Sequence, residues 1–477
     1  MKKILSLLII FLPLLSISQN KKPLDFSVYD SWNSINSYSI SDDGKHIYYE
    51  IKPYLGNGKL VVYNLNEKNK KIFPRGYNAK ISPNSNYIAF KIKHQYDTVR
   101  QLKLDKVEKS DLPKDSLCIY NFSGKIVKFE NLKSFSVPKE KSNWIEFSLE
   151  PKKDTSEAAK KKKTFDKYAP KTAEQHFYNP ITQEKFIFDD VCEVSVSRNG
   201  KLFAFVKLKN DSLLRSTLYV FDPQKKGLDS IVFDGLISKL KVDNKGRKVA
   251  FLFSSDSIKE KRYALYLYDV KNRKKIKIVD TLSSELPNKW TASINGKIYF
   301  SRDDKRLFFG SALRPLPEPK DTLLDNEKVY VDIWSWTDEK LQPQQLANKN
   351  RELKRTYLSE YIISEKKLIL LANENLKYVE LDLKATNDYF LASNPQPYLR
   401  ESSWNASFAS DYYRINASTG EKMLVLKKGK YVSLSPDGNF LLYYHGADSC
   451  WYIKNLNTNI TKDVTTKLKV PFYDEEN

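Results

Sequence analysis

The stretch Val432-Ser-Leu-Ser-Pro-Asp-Gly-Asn-Phe-Leu-Leu-Tyr-Tyr444 reads as two strands joined by a tight turn. Val432 and Leu434 alternate with Ser433 and Ser435, which is the period of a strand. Ser435-Pro436-Asp437-Gly438 suits a type I turn. Proline presets φ at its second position, and glycine at the fourth lets the chain leave it. Phe440 to Tyr444 is an unbroken apolar run, the pattern of a strand buried on both faces.

The same unit recurs along the chain. Its first half stands at Ser39-Ile-Ser-Asp-Asp-Gly-Lys-His-Ile-Tyr-Tyr49 and again at Ile81-Ser-Pro-Asn-Ser-Asn-Tyr-Ile-Ala-Phe90. Clear later copies are Val194 to Phe205 and Leu240 to Phe251. Ser142 to Ser148 has a degraded turn, Phe300 to Phe309 has lost the glycine, and Ile362 to Leu370 is a weaker copy. The second half is a Tyr-rich strand, a polar turn and a further strand. It stands at Leu60–Phe73, Leu117–Phe129, Leu218–Phe233, Leu265–Val279 and Tyr412–Leu426. Two halves make four short antiparallel strands in roughly 40 to 60 residues, near the period of propeller repeats.

The sequence therefore predicts an all-β fold. The expected architecture is a β-propeller of about seven to nine degenerate four-stranded blades, WD40-like or TolB-like, over 19–477. A series of β-sandwiches would also give short strands, but not a similar Ser/Asp/Gly turn at the same place in each unit. Two stretches interrupt the pattern. Gln95 to Lys114 reads as a long polar loop inside the second unit. A Lys-rich insertion over 151–170, carrying Lys160-Lys-Lys-Lys163, reads as a solvated excursion with room for a short helix at 156–168.

The N-terminus reads as an export signal over 1–18. Lys2 and Lys3 precede an apolar run from Ile4 to Leu15 that is too short for a good membrane span. Ser16-Ile17-Ser18 offers small residues for cleavage near Ser18, so the mature chain is expected to begin at Gln19 in a periplasm or outside the cell. No later run reaches the roughly 20 apolar residues of a spanning helix. The chain is 41% hydrophobic, and its 30 Tyr and 25 Phe against 2 Met favour strands. Cys118, Cys192 and Cys450 are far apart in strand-like runs and read as buried apolar side chains, with one bridge and one free thiol as the alternative. The formal charge of +22 would suit nucleic acid, but lysine spread along loops and strand edges reads as a solvated basic surface. No nucleic-acid partner is expected.

Catalytic chemistry has no foothold in the motifs. No two of the 15 glycines stand four or five positions apart, which excludes G-x-S-x-G and the Walker A loop. Gly56-Asn57-Gly58 lacks the third glycine of a dinucleotide fingerprint. The four histidines, His46, His94, His176 and His445, have neither metal-ligand spacing nor a nucleophile partner at a recognisable spacing, and there is no C-x-x-C. The sequence thus assigns no catalytic, cofactor-binding or metal-ligating residue.

Pro23-Leu-Asp-Phe-Ser-Val-Tyr-Asp-Ser-Trp32, followed by Ser39-Ile-Ser-Asp-Asp-Gly44, resembles the start of exported prolyl-oligopeptidase-like (S9) serine peptidases of Bacteroidetes type. The degenerate blades and Leu434-Ser-Pro-Asp-Gly438 are similar to that family's propeller. The resemblance implies a propeller that filters short peptides on their way to a Ser-Asp-His site in an α/β-hydrolase domain. No residue here matches that triad. The tail Val470 to Asn477 resembles a mid-chain passage, so the expectation is a truncated or split peptidase whose hydrolase domain or chain is encoded downstream. Some relatives hold a substrate amino terminus with a Glu pair. Glu475-Glu476 matches in composition only and is not assigned that role. The alternative is a stand-alone exported propeller that binds a peptide, glycan or protein. A third reading, a propeller hydrolase or lyase with its own carboxylate pair, requires two acids facing one channel.

Overall fold

A computed structural model describes residues 25–472, apart from 141, 152–164, 318–321, 406–407, 469 and 471. The export signal expected over 1–18, the greater part of the Lys-rich insertion and the pair Glu475-Glu476 lie outside the described residues. The structure is nearly all-β, with 46% strand and 8% helix. Its contacts divide the chain into two compact units, Met1–Ile81 with Ser85–Leu132, and Ser82–Asn84 with Lys133–Asn477.

The first unit holds two four-stranded antiparallel sheets, each in chain order. Blade one is β1 (Asn33–Ile40), β2 (His46–Pro53), β3 (Lys59–Asn64) and β4 (Asn69–Pro74). Blade two is β5 (Gly76–Ile81), β6 (Tyr87–Ile92), β7 (Ser116–Asn121) and β8 (Ile126–Phe129), with helix α1 (Tyr96–Leu104) between β6 and β7. The polar stretch Gln95 to Lys114 is thus an excursion within the second unit, as expected, and it carries a short helix. The two sheets bury Tyr48, Leu60, Val62 and Phe73 of blade one against Ala79, Ile88, Phe90 and Cys118 of blade two.

The second unit repeats the plan six times. Blade three is β9 (Leu132–Ser136), β10 (Ile145–Leu149), β11 (Ala173–Tyr178) and the first part of β12 (Lys185–Val196). Blade four takes the rest of β12, then β13 (Phe203–Asn210), β14 (Leu214–Asp222) and β15 (Gly227–Asp234). Blade five is β16 (Leu236–Val242), β17 (Lys248–Ser254), β18 (Ala264–Asp269) and β19 (Lys274–Val279). Blade six splits its first strand into β20 (Trp290–Ala292) and β21 (Tyr299–Phe300), both paired with β22 (Arg306–Leu313), followed by β23 (Tyr357–Ile362) and β24 (Lys367–Leu370). Blade seven is β25 (Tyr378–Glu380), β26 (Tyr389–Asn394), β27 (Ser410–Asn416) and the start of β28 (Lys422–Leu434). Blade eight is the end of β28 with β29 (Phe440–His445), β30 (Cys450–Asn455) and β31 (Thr461–Asp463). Helix α2 (Gln342–Leu353) lies in a long insertion between β22 and β23 that the sequence pattern did not announce.

Four-stranded meanders in strict chain order, packed face to face, are the blades of β-propeller folds. Each core cluster of the second unit joins neighbouring sheets. Ala204, Leu218 and Phe233 meet Ile237, Val249 and Phe251, and the next cluster joins blades five and six through Leu252, Leu265, Trp290 and Phe309. Second strands sit in the middle of this stacking. Tyr87 to Phe90, Phe203 to Val206 and Val249 to Leu252 are fully buried, as their unbroken apolar runs require.

Two sequence expectations need correction. Ile362 to Leu370 is not the start of a unit but the β23–β24 hairpin that closes blade six. The seventh blade begins at Tyr378 instead. Its entry strand has only three residues, and its turn carries neither Ser nor Gly, so the repeat is invisible there. The copy with the clearest sequence, Val432 to Tyr444, is also not the best buried. Only Leu441 is fully enclosed in β29, while Phe440 is 41% exposed. Apolar character placed this strand correctly in a sheet, but the depth of burial depends on what stacks above it.

Candidate functional site: a cleft at the first strands

The recurring turn shares one side-chain set in four blades, at Ser41, Ser197, Ser301 and Ser435. In Ser41-Asp42-Asp43-Gly44 the Gly44 N–H donates to the Ser41 carbonyl at 2.9 Å, which closes the type I turn. The Ser41 hydroxyl donates to Asp43 Oδ1 at 2.6 Å and accepts the His46 N–H at 2.9 Å. Ser197, Ser301 and Ser435 repeat the set with Asn199, Asp303 and Asp437. The fourth residue always has positive φ: +70° at Gly44, +65° at Gly200, +71° at Gly246 and +72° at Gly438. Where the glycine is missing, Ser85 (+54°) and Asp304 (+64°) adopt the same conformation. In blade seven Ala385 does so at +52°, with its N–H donating to the Asp382 carbonyl at 3.0 Å.

In the second unit these turns are linked to one another. Asn199 Nδ2 of blade four donates to the Lys245 carbonyl of blade five at 3.2 Å. Asn244 Nδ2 donates to the Ser301 carbonyl at 2.8 Å and to Asp304 Oδ1 at 2.7 Å, both in blade six. Arg302 N–H donates to the Lys384 carbonyl of blade seven at 2.8 Å. Glu140 of blade three pairs with both Arg198, at 3.3 Å, and Arg302, at 2.9 Å. Buried Asp304 also accepts the Asn244 and Lys245 N–H groups of the preceding turn, at 2.8 and 3.1 Å, which fixes blade to blade without apolar contact.

Beside these turns, the first strands of blades three to six line a cleft of about 380 Å³. Its walls include Lys139, Glu146, Arg198, Lys241, Asn244 and Tyr299. Glu146 Oε2 accepts from Gln175 Nε2 at 2.9 Å, and Ser148 Oγ donates to Gln175 Oε1 at 2.5 Å, so this acid is held inside blade three. Burial, and then the nearby Lys139, hold the Lys241 ammonium below its usual pKa. Neither Lys139 nor Lys241 has an ion-pair partner among the described residues, and the only acid on the wall is Glu146. Tyr299 stacks on Phe308, with centroids 5.3 Å apart, and its phenol is pushed up to about 12 by burial and then by Glu360. Glu360 is fully buried against Arg306 at 3.1 Å, and burial lifts its carboxyl to about 7. The arrangement suits an anionic group, held by lysines in a part-dehydrated cleft.

The histidines do not assemble. His46, His94, His176 and His445 lie in blades one, two, three and eight. His46 stacks on Phe122 with centroids 3.8 Å apart, and burial lowers its pKa. His94 Nε2 meets the Lys114 carbonyl at 2.8 Å. His176 is buried, stacked on Phe147 and paired with Glu174. His445 Nδ1 meets Asp448 at 2.9 Å on the surface. Cys118 and Cys450 are buried, Cys192 is half-buried, and all three are free thiols. Burial pushes the Cys118 and Cys192 thiols up to about 12. Among the described residues no cluster of three His, Cys, Asp or Glu side chains could hold a metal ion. Sequence reasoning did not single out Lys139 or Lys241. The available signal was Lys241 within Leu240-Lys-Val242, a cation in a strand otherwise destined for the core.

No protein-family model matches the chain, and no curated protein matches it. Among solved structures it is similar to the β-propeller domain of the trilobed protease of Pyrococcus furiosus, which has an open velcro topology. The identity there is 9% and the TM-score 0.35, over 83% of this chain and 99% of that one. It is similar to acylaminoacyl peptidase of Pyrococcus horikoshii at 10% identity and TM-score 0.34, over 91% of this chain and 59% of that one. It is also similar to an oligogalacturonate lyase in complex with manganese, at 12% identity and TM-score 0.34, over 58% of this chain and 73% of that one. The neighbours thus include propeller domains of S9-class peptidases, and the chain spans little more than half of a whole peptidase of that kind.

Proposed function

We propose that the chain is an exported propeller that offers its first-strand cleft to short peptides. It acts as the substrate-selecting portion of an S9-type serine peptidase, with Ser-Asp-His chemistry supplied by a hydrolase domain or a separate chain. The observation that carries this reading is the cleft itself. Four blades converge on one cavity whose lysines, Lys139 and Lys241, have no ion-pair partner among the described residues, while the acid on its wall, Glu146, already accepts from Gln175. A free peptide carboxylate would supply the missing charge, and the blade walls would limit ligand size. The resemblance of Pro23 to Trp32 and of the Ser-x-Asp-Gly turns to S9 propellers supports the class. The blade-six insertion supports a protein partner, because Val329, Tyr330 and Trp336 are each more than 80% exposed.

The test is a titration with fluorescent tetrapeptides carrying either a free or an amidated C-terminus. Free-acid peptides are expected to bind about tenfold more tightly, the worth of one part-desolvated charge contact. Lys241→Glu should abolish the difference. Equal binding of acid and amide, or a Lys241→Glu variant that behaves like the parent, would overturn the assignment of the cleft.

A further inference from the structure

The first unit contains a second cavity, independent of the cleft above. It has a volume of about 430 Å³, within the range of small-molecule sites. Its floor is the end of blades one and two, at Ile51 and Tyr77, and its roof is the Gln95 to Lys114 excursion. The roof is tied down. The Tyr96 N–H donates to Asn57 Oδ1 at 2.9 Å, Asn57 Nδ2 donates to Gln95 Oε1 at 2.6 Å, and His94 Nε2 meets the Lys114 carbonyl at 2.8 Å.

This roof packs in an unusual way for a helix. None of the residues of α1 is buried, and Tyr96, Val99 and Lys103, which share one helical face, line the cavity. Leu112 and Pro113 line it too, so the excursion turns its apolar side toward open space and not toward a packed core. Such surface gains from an apolar occupant.

The charges around that space are unequal. Lys52, Arg75, Lys93 and Lys103 line it, against the acids Glu50 and Asp115. Both acids are already engaged. Glu50 Oε1 accepts the Ala79 N–H at 2.9 Å, and Asp115 accepts the Tyr77 hydroxyl. Lys93 lies over the Tyr77 ring, 4.6 Å from its centroid, and neither Lys93 nor Lys103 has an ion-pair partner among the described residues.

We propose that this cavity binds a small organic anion with an apolar body. The body rests on Ile51, Val99 and Leu112, and the anionic head is held by Lys93 and Lys103. The tight approach of Gly58 to the Ile51 carbonyl, where a Cβ would stand 2.7 Å away, keeps the side wall open.

The probe is anilinonaphthalene sulfonate, an apolar body with one anionic head, titrated against the folded chain and read by its fluorescence. Saturable binding at one site is expected, with the neutral N-phenylnaphthylamine at least about tenfold weaker. Lys93→Glu with Lys103→Glu should weaken the sulfonate about tenfold or more. Val99→Trp, on a helix with no buried residue, should abolish binding without changing the melting temperature. Lys70→Glu, on the exposed strand β4, should change nothing. Linear, unsaturable fluorescence, equal affinity for the neutral probe, or parental binding by both the charge-reversed and Val99→Trp variants would overturn the proposal.

Discussion

At the scale of single residues, the repeated turn makes a graded prediction. Gly44 and Gly246 have nearly the same φ, +70° and +71°. A Cβ on Gly44 meets nothing within 4 Å, whereas one on Gly246 stands 2.9 Å from Leu202 Cβ. Gly44→Ala should cost roughly 1 kcal/mol, the left-handed strain alone. Gly246→Ala should cost about 1 kcal/mol more, because a packed neighbour must also move. Urea unfolding of the two variants checks this, and equal losses would contradict it. Glu360 makes a second prediction. Its carboxyl is raised to about 7 by burial, although Arg306 opposes the shift. The folded state therefore holds this proton more tightly than the unfolded chain. The stability it carries is complete below the unfolded pKa and declines as pH rises toward 7. Glu360→Gln should flatten that decline, by an amount on the order of 1–3 kcal/mol above neutrality. A pH series of melting curves that is unchanged by Glu360→Gln would refute it.

At the scale of elements, the hairpins show what a sequence carries and what it does not. Ser, Asp and Gly fix the turn through local hydrogen bonds, so Ser41 to Gly44 and Ser435 to Gly438 announce themselves. Asp382 to Ala385 makes the same turn with Asp382 Oδ2 accepting the Lys384 N–H at 3.0 Å, yet its residues look like ordinary loop. The start of blade seven is illegible for that reason, although its second half at Tyr412–Leu426 is plain, and β23–β24 reads as a new unit because an apolar pair of strands carries no label of its position in a sheet. The cleft was less legible still. Lys139 and Lys241 are about a hundred residues apart and meet only through the stacking of blades. The excursion over 95–114 was legible as an interruption but not as the roof of a cavity. Since α1 buries none of its residues, replacing 97–112 with a Gly/Ser linker of equal length should shift stability by less than about 1 kcal/mol. The same replacement should remove binding of the sulfonate probe. A collapse of the first unit on this replacement would show that the helix supports the fold.

At the scale of the whole molecule, the charge of +22 is dispersed. Many cations sit beside acids, such as Arg215 with Asp234 of the adjacent strand at 2.9 Å and Arg273 with Asp229 of the preceding blade at 2.6 Å. Binding to duplex DNA should therefore be weak and non-specific, and it should disappear in a mobility-shift assay near 0.15 M salt. A stable complex at that salt would restore nucleic acid as a partner. The long strands β12 and β28 have a different consequence. Each pairs with one sheet, passes through left-handed residues at Asp190 or at Lys428 and Tyr431, and then pairs with the next sheet. There is no linker at these two junctions, so opening one sheet pulls on the first strand of its neighbour. Amide protons of β11 and β13, and likewise those of β27 and β29, should exchange with deuterium in step, as joint opening events. Across the β15–β16 junction, where Gly235 at φ +148° separates two distinct strands, the sheets are free to exchange at their own rates.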